Sequence, residues 1–139
     1  MGWLRQWFRR PRLPITQDRG RRGEQAARRY LKRIGYRFLT ANYRSPRGEI
    51  DLVFREGHCL VFIEVKTRSS EEWTRPAAAV NAEKRFHLSR AALDYLRALH
   101  HPAVRIRFDI VEVLLEDDAV SEIRHLENVF PLSPPYRYG

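Results

Sequence analysis

The stretch GEIDLVFREGHCLVFIEVKTR, residues 48–68, decides the fold. Gly48–Phe54 and Cys59–Arg68 read as strands around a turn at Glu56-Gly57. Successive side chains of a strand point to opposite faces. Glu64 and Lys66 therefore share one face, and Val61, Ile63 and Val65 share the other. Asp51 lies on the neighbouring strand, among Ile50, Leu52 and Phe54. The hairpin thus brings two carboxylates and an ammonium to one region of a sheet.

On the N-terminal side, the spacing of Ala27, Tyr30, Leu31 and Ile34 predicts a helix over residues 18–34, stopped by Gly35. Glu24 falls on its inward side, where a carboxylate needs a partner or a metal. The plainer alternative is a rim glutamate paired with an arginine. Residues 36–44 read as a strand, followed by the turn Ser45-Pro46-Arg47-Gly48. On the C-terminal side, residues 69–76 read as a loop containing Trp73. A second helix is expected over residues 81–100, with Leu88, Ala91, Ala92, Tyr95 and Leu99 inward and Lys84 one turn before Leu88. Residues 104–115 and 122–130 read as two further strands. This order predicts an α/β fold, a mixed central sheet flanked by helices. Short connections make the first three strands an antiparallel meander. The strand–helix–strand segment from Cys59 onward should be a right-handed parallel crossover.

The chain has 139 residues, one domain's worth. The domain is expected over 18–130, between an N-terminal extension (1–17) and an irregular tail (131–139). The single cysteine, Cys59, excludes an internal disulfide or a multi-cysteine zinc site, and its apolar strand predicts a buried thiol. No apolar run approaches the roughly 20 residues of a membrane span, and no signal-peptide core is present. A cytoplasmic protein with no integral membrane association is expected. The net charge is +9, and the first 37 residues hold 12 of the 26 basic residues against only Asp18 and Glu24. Such a block favours a polyanion, either nucleic acid or an anionic membrane surface, unless it is a solvated tail. Trp3, Leu4, Trp7 and Phe8 beside Arg5, Arg9 and Arg10 could serve nucleobase stacking or a bilayer surface.

The site chemistry follows from residue type. Mg²⁺ prefers oxygen ligands, keeps several waters, and is commonly held by one or two carboxylates plus substrate phosphate. Asp51 and Glu64 can supply those carboxylates, with a backbone carbonyl near Val65 as a third donor. Lys66 can orient the attacking water, lower its pKa, or neutralise charge on a phosphorane-like transition state. Only three of the 26 basic residues are lysines (Lys32, Lys66 and Lys84), and two of them fall where a site would want a compact ammonium. Taken alone, the spacing of Glu64 and Lys66 also fits an ordinary surface pair. Arg44, Arg68 and Lys84 are candidate phosphate contacts, as are Arg21 and Arg22 in the basic block. Glu49 reads as a structural partner, and Asp109 as an anchor of the sheet. His58, His87, His100, His101 and His125 lack ligand spacing.

The stretches Gly20–Ala27, Gly35-Tyr36, Asn42-Tyr43-Arg44, Gly48–Leu52, Val61–Arg68, Lys84 and Arg107-Phe108-Asp109 resemble the YraN-like family of predicted endonucleases. That family is a branch of the restriction-endonuclease-like, PD-(D/E)xK fold related to archaeal Holliday junction resolvases. The resemblance covers residues 18–130. It implies that Asp51 and Glu64 are metal ligands, that Lys66 is the catalytic lysine, and that Glu24 is the acidic residue of the first helix in a resolvase-like site. It implies a Mg²⁺- or Mn²⁺-dependent endonuclease acting on DNA, with branched or repair-intermediate DNA as one substrate class. Symmetric cutting of a junction would call for a homodimer. The competing expectation is a nucleic-acid-binding module without turnover of its own, or one needing a partner for activation.

Overall fold

The computed structural model describes residues 15–73 and 80–139. The aromatic and basic segment around Trp3 and Trp7 lies outside the described residues, as does the end of the loop expected over 69–76.

The elements run α1 (Ile15–Arg33), β1 (Arg37–Ser45), β2 (Gly48–Glu56), β3 (Cys59–Arg68), α2 (Ser70–Trp73), α3 (Ala82–Ala98), β4 (Arg105–Glu116) and β5 (Ala119–Phe130). The five strands form one sheet in the order β1-β2-β3-β4-β5. Strands β1, β2 and β3 form the expected antiparallel meander. Strands β3 and β4 pair in parallel from Cys59↔Arg105 to Arg68↔Leu114. The last pair is antiparallel.

Helix α1 covers one face of the sheet. Its Ala27 and Leu31 are fully buried against Leu52, Phe54, Val61, Ile63, Val111 and Val113. Helix α3 covers the other face, where Leu88, Ala91, Ala92 and Leu96 meet Ile50, Val53, Phe62 and Phe108. The apolar run Cys59–Ile63 is thereby buried throughout, as a central strand with helices on both faces should be. Cys59 is the buried thiol its strand predicts.

Three details depart from the sequence reading. Ile34 and Leu99, expected inward, are 44% and 43% exposed, because each follows the last turn of its helix rather than belonging to it. Residues 70–73 form a short helix within the expected loop. Strand β5 begins three residues early, at Ala119. Asp117 and Asp118 both adopt left-handed φ (50° and 61°), which lets a two-residue turn join β4 directly to β5. The tail after Phe130 has no regular element but is packed. Leu132 and Tyr138 lie against the α3-side core, and Ser133 N donates to the buried Ser89 Oγ at 3.0 Å.

The candidate active site at the parting of two strands

The β2–β3 ladder ends at Leu52↔Ile63, immediately before Asp51 and Glu64. Beyond that pair the strands part, and the freed Val65 N–H is taken up by Asp51 Oδ2 at 2.8 Å. The inward alternation of β2 slips at the same place. Ile50 and Val53 face α3, whereas Leu52 and Phe54 face α1. Beside Asp51 on β1, Asn42 has a left-handed φ of 53°. Two glycines bring the covering helices close. A Cβ on Gly23 of α1 would lie 2.0 Å from Thr67 Oγ1 of β3, and one on Gly48 would lie 2.7 Å from the His87 carbonyl oxygen of α3.

This arrangement brings three of the expected side chains together electrostatically. The Asp51 and Glu64 carboxyls lie close enough to act on one another's protonation. Burial, and then the Asp51 charge, push Glu64 up to about 7. Asp51 is also raised, first by burial, against the opposing pull of the Val65 N–H. Glu24 faces the same cleft from α1. It too is raised, by burial and then by Asp51, while its Oε1 accepts from Asn42 Nδ2 at 2.8 Å. The cleft has a volume of about 820 Å³, and Arg19, Arg21 and Arg28 line it beside Glu24, Asn42 and Asp51. Lys66 is half-buried, is felt by Glu64, and forms no ion pair among the described residues. Lys84, in the first turn of α3, places Nζ 3.5 Å from Glu64 Oε1.

The expected phosphate contacts divide. Arg21 faces the cleft. Arg22 points elsewhere, bound to Asp18 at 3.1 Å and donating to the Asp118 carbonyl at 2.9 Å. Arg44 pairs with Glu49 at 3.0 Å on the surface. Arg68 is held by Glu72 and by the buried Glu112, each at 3.3 Å. Asp109 is buried and binds Arg107, His125 and the Asn128 N–H, a set that ties β4 to β5. The sequence reading did not single out Arg19, Arg28 or a role for Asn42. The spacing of Arg21 and Arg28, seven residues apart on one helix, was the available signal for the arginine.

The oxygen-rich donor set fits a hard divalent cation. Two desolvated carboxyls in contact repel one another when both are ionised, and a cation between them relieves that cost. Among the described residues no three His, Cys, Asp or Glu side chains form a ready-made metal cluster. Two carboxylates completed by waters and substrate suffice for Mg²⁺. When bound, such a cation would polarise a phosphoryl oxygen and its own water. Asp51, Glu64 and the Val65 carbonyl are the groups that would hold it.

Fold and site together define an α/β protein with an arginine-lined cleft bearing Glu24 and Asp51 where two sheet strands diverge, and with Glu64, Lys66 and Lys84 beside Asp51 but outside the cleft lining. The chain belongs to the uncharacterised protein family UPF0102, whose family model matches residues 23–113. It is 42% identical over 113 residues to a UPF0102 protein of Desulfosudis oleivorans, covering 81% of this chain and 92% of the relative. A UPF0102 protein of Solibacter usitatus is 45% identical over 125 residues, covering 88% and 92%. One from Chlorobium phaeobacteroides is 41% identical over 121 residues, covering 84% and 96%. The family match spans Glu24, Asp51, Glu64, Lys66 and Lys84 and leaves out the first 22 residues. No helix among the described residues is long and apolar enough to cross a membrane.

Proposed function

We propose that this protein is a divalent-metal-dependent endonuclease of the restriction-endonuclease-like class that hydrolyses phosphodiester bonds in DNA. The observation that carries the reading is the Asp51–Glu64 pair at the end of the β2–β3 ladder, with Lys66 two residues further along β3. Asp51 and Glu64 would hold the cation, which would polarise a phosphoryl oxygen and its bound water. Lys66 hydrogen-bonds a non-bridging phosphate oxygen and offsets the charge that builds there as the water oxygen bonds to phosphorus. The water's proton passes to solvent, the P–O bond to the leaving oxygen breaks, and that oxygen takes a proton from solvent. Glu24 faces the attack region from α1, held by Asn42. The arginines of the cleft draw the phosphate backbone to the side of the site that Glu24 and Asp51 line. Branched or repair-intermediate DNA is the substrate class that the resemblance to YraN-like proteins adds.

A second reading is a nucleic-acid-binding module that needs a partner for turnover. One observation favours it: Lys84 neutralises part of the Glu64 charge at 3.5 Å, so the apo site already has a cation of its own.

The deciding experiment is cleavage of a labelled panel (duplex, single strand, flap, four-way junction and RNA) with Mg²⁺ or Mn²⁺, beside Asp51→Ala. Cutting that vanishes in the variant is expected. No cutting by the wild-type protein, with salt-sensitive binding retained, would sink the enzyme reading in favour of the second.

A further inference from the structure

The basic charge of α1 is divided between two flanks. Arg21, Gln25, Arg28 and Lys32 repeat at helical spacing along one stripe. Arg21, Gln25 and Arg28 line the cleft, and the charges of Arg28 and Arg21 act on Glu24. The stripe then leaves the cleft along the seam between α1 and β1. There the Arg28 guanidinium carbon lies 3.7 Å from the centre of the Phe38 ring, and Lys32 Nζ lies 5.2 Å from the same ring. Phe38 is itself braced edge-on by the buried Phe54. A cation resting on an aromatic face is held in place while its N–H donors remain available at the edge. Neither Arg28 nor Lys32 has a salt-bridge partner among the described residues. Arg22, Arg29 and Arg33 follow the other flank, where Arg22 is tied to Asp18 and to the Asp118 carbonyl.

We propose that the α1–β1 seam is a binding track for one nucleic-acid strand entering or leaving the cleft. Arg21, Arg28 and Lys32 are its phosphate contacts, and Phe38 is the platform that holds two of them in place. Naming this cleft as the reaction site rests on the nuclease reading, but the track is testable without turnover. From Arg21 to Lys32 the helix rises about 16 Å. That length spans roughly four or five phosphates of one strand of a duplex. The contacts are to phosphate rather than base edges, so the track positions a strand without selecting sequence.

The test compares equal charge removal on the two flanks. Arg28→Ala/Lys32→Ala and Arg29→Ala/Arg33→Ala are made in the full chain. Binding to a fluorescein-labelled 24-base-pair DNA duplex is measured in EDTA across a salt series. The first pair should weaken binding about tenfold or more near 0.1 M salt. It should also make the slope of log K against log salt shallower by about 1.8, the value for two lost phosphate contacts. The second pair should stay within about twofold, with its slope unchanged. Equal losses from the two pairs, or no loss from the first, overturn the track. If the alanine pair lowers the melting temperature, Arg28→Gln/Lys32→Gln keeps much of the apolar stem over Phe38 and replaces it. The cleavage panel is scored separately. Wild-type protein that never cuts but shows the flank difference would sink the nuclease reading and leave the track standing. Cutting without the flank difference would do the reverse.

Discussion

At the residue scale, Asn42 is the most exposed to test. It holds Glu24 at 2.8 Å from a backbone with φ 53°, a region that glycine occupies more readily than any other residue. Asn42→Gly removes the amide and suits the backbone. Its melting temperature should stay within the change expected for about 1 kcal/mol, while cleavage falls about 10- to 100-fold, as for groups that orient metal ligands or catalytic carboxylates. A variant that loses stability and activity in parallel would make Asn42 merely structural. Asp51→Ala and Glu64→Ala should abolish metal-dependent cleavage with duplex binding within a fewfold of wild type, since binding is mostly phosphate charge. Lys66→Arg should also be inactive, because a guanidinium is larger and differently shaped than an ammonium. Near-normal cutting by Lys66→Arg would remove Lys66 from the chemistry. Asp51, Glu64 and Lys66 could be picked out in the sequence because strand periodicity puts Glu64 and Lys66 on one face and a short hairpin brings Asp51 beside them. That spacing alone also fits a surface pair, and the roles came from the family resemblance. Asn42 could not be picked out, because its role depends on a left-handed backbone that residue identity permits without announcing. Arg22 was a candidate phosphate contact in the sequence and Arg28 was not; only the position of α1 over the sheet shows that Arg22 is tethered and that Arg28 lines the cleft.

At the element scale, the packing of α1 on β3 sets where Glu24 points. Gly23 meets Thr67 so closely that a methyl group would sit 2.0 Å from Oγ1. Gly23→Ala should therefore push α1 away and cost about 1–3 kcal/mol, the usual range for overpacking, and cleavage should drop as Glu24 moves with the helix. Adding Thr67→Ala removes the clashing oxygen and should recover a large part of both, a coupling that a double-mutant cycle in urea would read directly. Gly20, one turn earlier, has open space around its missing Cβ. Gly20→Ala should stabilise the protein by about 0.5–1 kcal/mol through helix propensity alone. Additive losses in the Gly23→Ala/Thr67→Ala pair would refute the contact. The element order was readable because β3 opens with a run that is apolar on both faces and β4 begins by alternating Val104, Ile106, Phe108 and Ile110 with Arg105, Arg107 and Asp109. The start of β5 was not, since Ala119, Val120 and Ser121 form no alternating pattern and are all exposed. The turn at Asp117-Asp118 sets that register instead.

At the scale of the whole molecule, the carboxyls fall into two groups with opposite effects on folding. Glu24, Asp51 and Glu64, all at the site, are raised first by burial, and Glu24 and Glu64 next by the Asp51 charge. Asp94 is lowered by Arg47, and Asp109 by His125 and Arg107, against its own burial. A carboxyl raised in the folded state binds more protons folded than unfolded, so stability falls as pH rises from its unfolded value toward its folded one. For Glu64 that window runs from about 4.5 to about 7. A lowered carboxyl acts oppositely: Asp94 and Asp109 support the fold above the ordinary carboxylate range, and that support is lost as pH falls through their depressed values. Without divalent cation, stability should therefore peak near pH 4–5 and decline toward pH 7–8. Glu64→Gln should flatten the neutral limb and stabilise the apo protein by roughly 1–3 kcal/mol at pH 8, with the gain shrinking toward pH 5. Saturating Mn²⁺ should stabilise wild type more than Glu64→Gln, because a cation between the carboxyls removes the same repulsion. Asp109→Asn should act on the acid limb instead, and should cost stability at pH 7 by leaving the partly buried Arg107 with less compensation. Thermal melts from pH 3 to 8 would check all three. Destabilisation of the apo protein by Glu64→Gln at pH 8 would mean that Glu64 supports the fold, and would remove the case that these carboxyls are held together for a cation.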